Sequence, residues 1–187
     1  MDEKNLAIIR QSFANAALGH KIQEVAADRK DAIVAKLKWF DLVLVSAVLI
    51  LFIVQAQIQD NLLFSYIGAG LTVAEILSLL IKQTFHLDDD VVAHKNAASK
   101  HLGLRDRYRS LLSDVIEAAI EPKELRQQRD ALLHEYQLIV SLSLPTTSKD
   151  YDEAMRRMKL EQDGENVWSD KQINHLLPKE LRKQTGQ

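Results

Sequence analysis

Two apolar runs separated by only two polar residues constrain this chain more than anything else in it. Leu42 to Gln59, LVLVSAVLILFIVQAQIQ, has no charged side chain, and Leu62 to Lys82, LLFSYIGAGLTVAEILSLLIK, has one, Glu75, before its closing lysine. At 1.5 Å per residue, about 20 helical residues cross roughly 30 Å of bilayer hydrocarbon. Each run is long enough once Trp39, Phe40 and Asp41 are added to the first. With Asp60 and Asn61 alone between them, the two must form a tight antiparallel hairpin. The alternative, two central helices of a soluble bundle, needs apolar partners on every side, and the remaining sequence offers mostly charged amphipathic stretches. A signal peptide is not expected, since no basic start and small-residue cleavage site precede the first run.

The fold class expected is therefore an all-α membrane protein: a two-transmembrane helical hairpin with an N-terminal helix and C-terminal cytoplasmic helices. Six glycines and three prolines in 187 residues suit long helices better than a turn-rich β fold. The divisions are an N-terminal helix over 1–38, the hairpin over 39–82 (spans 39–59 and 62–82), a helical pair over 83–144 and short helices over 145–187. Arg29, Lys30, Lys36 and Lys38 precede the first span and Lys82 ends the second, while the connecting loop has no basic residue. Both termini are expected on the cytoplasmic side. Trp39 and Phe40 are placed as membrane-interface anchors.

Glu75 is the residue such a hairpin must explain, because an ionised acid at the centre of a spanning helix costs about 2.5–3.5 kcal/mol on insertion scales. Counting by threes and fours from it gives Ser65, Gly68, Thr72, Glu75, Leu79 and Lys82 on one stripe, with Ser78 beside it. That stripe should face protein or water. Gly70 and Ala74 form a small-residue surface that lets another helix approach, and Ser46 marks a contact on the first span. Since two helices cannot enclose water, an aqueous path along Glu75 requires several hairpins. Two roles stay open: a pore or gate face, or a carboxyl that donates one hydrogen bond and holds an assembly together.

Outside the hairpin the pattern is helical throughout, with Gly19 expected as a soft point in the first helix. Asp88, Asp89 and Asp90 start a helix running toward Ile120, and Pro122 opens the next toward Leu142. Thr146 to Ser148 cap a third helix ending at Gly164, and SDKQ from Ser169 has capping-box spacing. His94, Ala98, His101, Arg105 and Tyr108 share one face and read as a hydrogen-bonded seam between helices. As metal ligands they fit poorly, since His94 and His101 lie two turns, about 10.5 Å, apart along one helix. No metal and no cofactor are expected. There are no cysteines, no phosphate-cradling glycine loop and no nucleophile with local support, so no catalytic residue is assigned and the chain is not expected to be an enzyme. With 24 basic and 26 acidic residues the charge is nearly balanced, and direct nucleic-acid binding is not expected.

The order of these pieces carries a resemblance. AHKNAASKHLGLRDRYRSLLSDV, LPTTSKDYDEAMRRMK and VWSDKQINHLLPKELR, following a hairpin, resemble the SLATT family, the SMODS and SLOG-associating two-transmembrane effector domain, most closely the subfamily found beside reverse transcriptases. The matching positions are His94, Ala97, Ala98, Leu104, Arg105, Tyr108 and Leu112, then Pro145, Thr147, Tyr151 and Ala154, and finally Ile173, Leu177, Pro178 and Leu181. The resemblance implies an effector of a bacterial anti-phage conflict system in the inner membrane, a homo-oligomer that opens a pore or disrupts the membrane on a cytoplasmic signal. It also implies a sensor or reverse-transcriptase partner of the same system. The alternative is a non-conducting membrane-anchored scaffold or adaptor that binds partners through its cytoplasmic helices.

Overall fold

The computed structural model describes residues 3–57, 62–160 and 168–183, and every regular element among them is helical. In order these are α1 (Glu3–Gln57), α2 (Leu62–Phe85), α3 (Leu87–Ile116), α4 (Pro122–Leu142), α5 (Ser148–Arg157), α6 (Asp170–Leu176) and a 3-10 turn at Lys179–Leu181. Asp60, Asn61 and Gly164, expected at the hairpin turn and a helix end, lie outside the described residues. The three prolines fall at boundaries: Pro122 opens α4, Pro145 lies between α4 and α5, and Pro178 precedes the 3-10 turn. A ring without an N–H is tolerated there and not inside a helix.

Capping chemistry sets several starts. The Thr147 and Asp150 side chains satisfy each other's backbone N–H groups at the head of α5, and Ser169 and Gln172 do the same for α6. Two ends differ from the expectation. The α3 helix stops at Ile116, short of Ile120, and α5 stops at Arg157, well before Gly164. Ala118 and Lys159 take left-handed φ values of 53° and 55°. The following N–H groups then reach back five residues, Ala119 to the Asp114 carbonyl and Leu160 to the Met155 carbonyl. This is the Schellman closure with a non-glycine residue at its left-handed position, so no glycine advertises it. His86, φ 43°, breaks the chain between α2 and α3.

Gly19 is not a soft point, because α1 runs through it. A Cβ there would sit 2.8 Å from Cε1 and Nδ1 of His101. The glycine admits the imidazole of α3 rather than loosening α1.

Two compact units are present: Met1–Ala27 with Val92–Gln187, and Asp28–Val91. The first is built around Ile9 and Phe13 of α1, Leu104, Tyr108, Leu111 and Leu112 of α3, and Leu125, Leu132 and Ile139 of α4, all buried. Ile173 and Leu177 join that core from the C-terminal segment. Burying each such side chain contributes about 1.5–3 kcal/mol. Among the described residues the second unit has no comparable core.

Candidate functional site

In the second unit the large apolar side chains are outside. Trp39 is 68% exposed, Phe52 73% and Tyr66 73%, with Leu42, Ile50, Leu62, Val73, Leu80 and Phe85 also exposed. Both apolar helices are long enough to cross a membrane, and only 6% of the most apolar window of each is buried. The core helix of a water-soluble protein would be mostly covered.

What faces inward mixes small and polar side chains with a few leucines and Phe64. On α1, Leu44 is buried and Asp41, Ala47, Val48, Leu51 and Val54 are half-buried; on α2, Ser78 is buried and Phe64, Gly68, Leu71, Ala74, Glu75 and Lys82 are half-buried. The α1–α2 register is set by polar contacts. Ser78 Oγ donates to Asp41 Oδ1 at 2.6 Å, and Lys82 forms an ion pair with Asp41 Oδ2. Nearer the turn, Gln55 Nε2 donates to Ser65 Oγ at 2.8 Å. Between these two groups sits Glu75, whose Oε2 is buried and accepts no hydrogen bond among the described residues. Past the apolar stretch, Lys30 pairs with Asp90 and Lys38 with Asp88 at 2.9 Å. Two of the three acids that start α3 are thus also spent on ion pairs to α1.

The stripe expected along α2 is split. Gly68, Glu75 and Lys82 are half-buried, although a Cβ added at Gly68 would meet nothing within 4 Å, while Ser65, Thr72 and Leu79 are exposed, Ser65 still reaching Gln55 of α1. Thr72 Oγ1 donates to the Gly68 carbonyl at 2.9 Å and Ser46 Oγ to the Leu42 carbonyl at 2.7 Å, so both hydroxyls are satisfied by their own helices. Ser46 is exposed and does not meet α2. Gly70 is exposed with nothing within 4 Å of an added Cβ, whereas Ala74 is half-buried. Trp39 and Phe40 are both exposed at the polar end of the first apolar run.

Sequence reading missed Asp41, counted there only toward the length of the run. A hairpin folded about residues 60 and 61 places position 41 level with about position 80, so this acid and Lys82 could have been paired from their distances to the turn.

In the first unit the seam on α3 is buried at His94, Ala98, His101 and Tyr108. His94 Nδ1 lies 2.6 Å from Gln23 Oε1, and His20 Nδ1 lies 3.0 Å from the Ala98 carbonyl. His101 rests on Gly19 and meets Tyr136 edge to face, ring centroids 5.8 Å apart at 64°. Burial, with His20 nearby, holds the His101 pKa below its usual value, and burial raises the Tyr108 phenol. Arg105 stands at the seam's edge, half-exposed and paired with Asp106. Among the described residues no three His, Asp or Glu side chains converge to hold an ion.

The C-terminal segment is fastened by groups the sequence reading did not single out. Arg10, buried, donates to Asn174 Oδ1 at 2.8 Å and to Asp170 Oδ1 at 3.4 Å. Gln11 exchanges two hydrogen bonds with the Trp168 backbone, and the Trp168 indole donates to Asn15 Oδ1 at 2.7 Å. A bond from Lys183 holds the Asp170 carboxyl below the usual carboxylate range.

A protein-family model described as SMODS and SLOG-associating 2TM effector domain family 4 matches residues 6–171. No curated protein and no solved structure matches the chain.

Proposed function

Because this chain belongs to the SMODS and SLOG-associating 2TM effector domain family, two-transmembrane effectors of conflict systems, we propose that it is a membrane effector that assembles through its hairpin into a pore or membrane-disrupting oligomer when a cytoplasmic signal arrives. The observation that carries this reading is the inside-out build of the second unit, with apolar side chains outside and an acidic oxygen of Glu75 buried without a partner among the described residues. In hydrocarbon an unsatisfied polar atom is costly, and intramembrane acids face a bundle interior or a water-filled cavity. A single hairpin supplies neither for Glu75. Further copies would supply one or the other, and an ionised acid facing such a path would favour cations.

The positive flanks at Arg29, Lys30, Lys36, Lys38 and Lys82 support an inner-membrane protein with both termini in the cytoplasm. The trigger is proposed to be a sensor of the same conflict system, a reverse transcriptase being the partner that the sequence resemblance suggests. Whatever it is, it must bind the open and closed assemblies with different affinity. A second reading, a non-conducting tether, is favoured by one placement: Glu75 lies on the side of α2 turned to α1, where a structural carboxyl would also sit.

Membrane potential in bacterial cells, followed with a voltage-sensitive dye, separates the two. Depolarisation by the unaltered protein that Glu75→Gln weakens, at equal insertion and crosslinked assembly, is the result expected of a conducting path. An inserted and assembled protein that leaves the potential unchanged, with its trigger supplied, is the result expected of a tether.

A further inference from the structure

The polar cluster at one end of the hairpin does something the apolar contacts cannot. From Asp41, Ser78 and Lys82 we infer a latch that holds the polar face of α2 closed against α1, so that the effector is silent until the latch opens. This rests on the reading of the chain as a gated membrane effector and names the residues that set its closed state.

Three observations support it. Both Asp41 oxygens are engaged, Oδ1 by the Ser78 hydroxyl at 2.6 Å and Oδ2 by the Lys82 ammonium. The cluster is largely covered: the side chains of Asp41 and Lys82 are 14% and 27% exposed, and Ser78 is buried. The same face of α2 continues one turn from Ser78 to Glu75, whose Oε2 is buried and accepts nothing among the described residues. Asp41 therefore makes two polar contacts from α1 to α2, while the acid that closing covers gains no partner among the described residues.

Lipid sharpens the argument. Hydrocarbon tails are as apolar as the leucines on α1 and α2, so no hydrophobic force favours closing the two helices on each other. Packing and hydrogen bonds remain. At the far end Gln55 and Ser65, both exposed, make a side-chain bond between α1 and α2. Opening at Asp41 frees the Lys82 ammonium, which lies seven residues along the same face from Glu75. The freed face of α2 presents one carboxyl, one ammonium and one hydroxyl to whatever enters, with the Asp41 carboxyl opposite them on α1. A latch of this kind biases a two-state element in the way gating requires.

The test uses the full chain in membranes and four variants: Asp41→Asn, Lys82→Gln, Ser78→Ala, and the exchange Asp41→Lys with Lys82→Asp. Because the protein has no cysteine, spin labels can be placed on cysteines at Val45 and Val73 alone, both exposed, with labelled chains diluted in unlabelled ones. The distance between them is measured for the membrane-inserted fraction. The single variants should shift the distribution toward longer, broader separations, with the open-to-closed ratio rising roughly fivefold or more. The exchange should return it to that of the unaltered protein, and Ser78→Ala should have the smallest effect. Distances unchanged by Asp41→Asn and Lys82→Gln would overturn the latch, as would an exchange that stays open. Depolarisation in the same variants bears on the pore separately. If distances shift while potential does not, the latch stands and the conducting reading fails.

Discussion

The two units of this protein are built from the same kind of helix and arranged in opposite ways. The first hides Ile9, Leu104, Tyr108 and Leu112 and turns most of its charged side chains outward, Arg10 and Asp150 being buried exceptions, while the second hides Ser78, half-buries Asp41 and Glu75, and turns Phe52, Tyr66 and Leu80 outward. Water explains the first arrangement, since burying apolar area contributes about 25 cal/mol per Å². That contribution vanishes between helices in lipid, where small residues and polar contacts hold them instead. Which side chains count as core is therefore set by the solvent of each unit.

Equal truncations should break or sharpen this contrast. Leu104→Ala, in the first unit's core, is expected to cost about 2–5 kcal/mol in denaturant unfolding of the detergent-solubilised protein. The same change at Leu77, 55% exposed in the hairpin, should leave stability nearly unchanged, within about 0.5 kcal/mol. Comparable losses at both positions would sink the comparison.

A smaller effect is expected at Gly19. Alanine there meets the His101 ring and should destabilise the first unit by about 1–3 kcal/mol. His101→Ala, made together with it, should recover part of that loss in a double-mutant cycle. Thr147→Ala removes the cap of α5 and should cost about 1 kcal/mol, visible as a lower Tm.

The weakest effect is with pH. Because the folded state holds the His101 pKa below its ordinary value, the unfolded chain takes up its proton first as pH falls. The stability this residue contributes is complete above the ordinary value near 6.5 and is lost as pH drops from there toward the folded value. Replacing His101 with Gln should flatten the slope of stability against pH in that window. A slope unaltered by the replacement would assign the pH dependence elsewhere.

Much of the architecture was legible because it depends on local chemistry. Apolar length marked the two spans, the prolines marked boundaries, and Thr147 and Ser169 marked helix starts through their own side chains. Features that depend on a distant neighbour were not legible. Gly19 reads as a weak point in a helix until His101 is placed beside it. The ends at Ala118 and Lys159 escaped because their left-handed residues are not glycine.

The candidate site shows the same limit at finer scale. A stripe counted by threes and fours is broad, about 100° of the helix surface. It joined half-buried Gly68, Glu75 and Lys82 to exposed Ser65, Thr72 and Leu79, and Ser65, though exposed, still accepts a bond from Gln55 of α1. Periodicity gives the stripe but not where the neighbouring helix lies within it. Distance from the turn does give that, and it is the signal by which Asp41 could have been found.

The most direct test of the inside-out hairpin uses single cysteines in native membranes, at exposed Phe52 and Leu80 and at buried Leu44 and Ser78. Labelled with an environment-sensitive dye, Phe52 and Leu80 should be quenched by lipid-tethered quenchers and resist a water-soluble maleimide, while Leu44 and Ser78 should be protected from both. Rapid reaction of Phe52 and Leu80 with the water-soluble reagent would place those side chains in water and contradict the account.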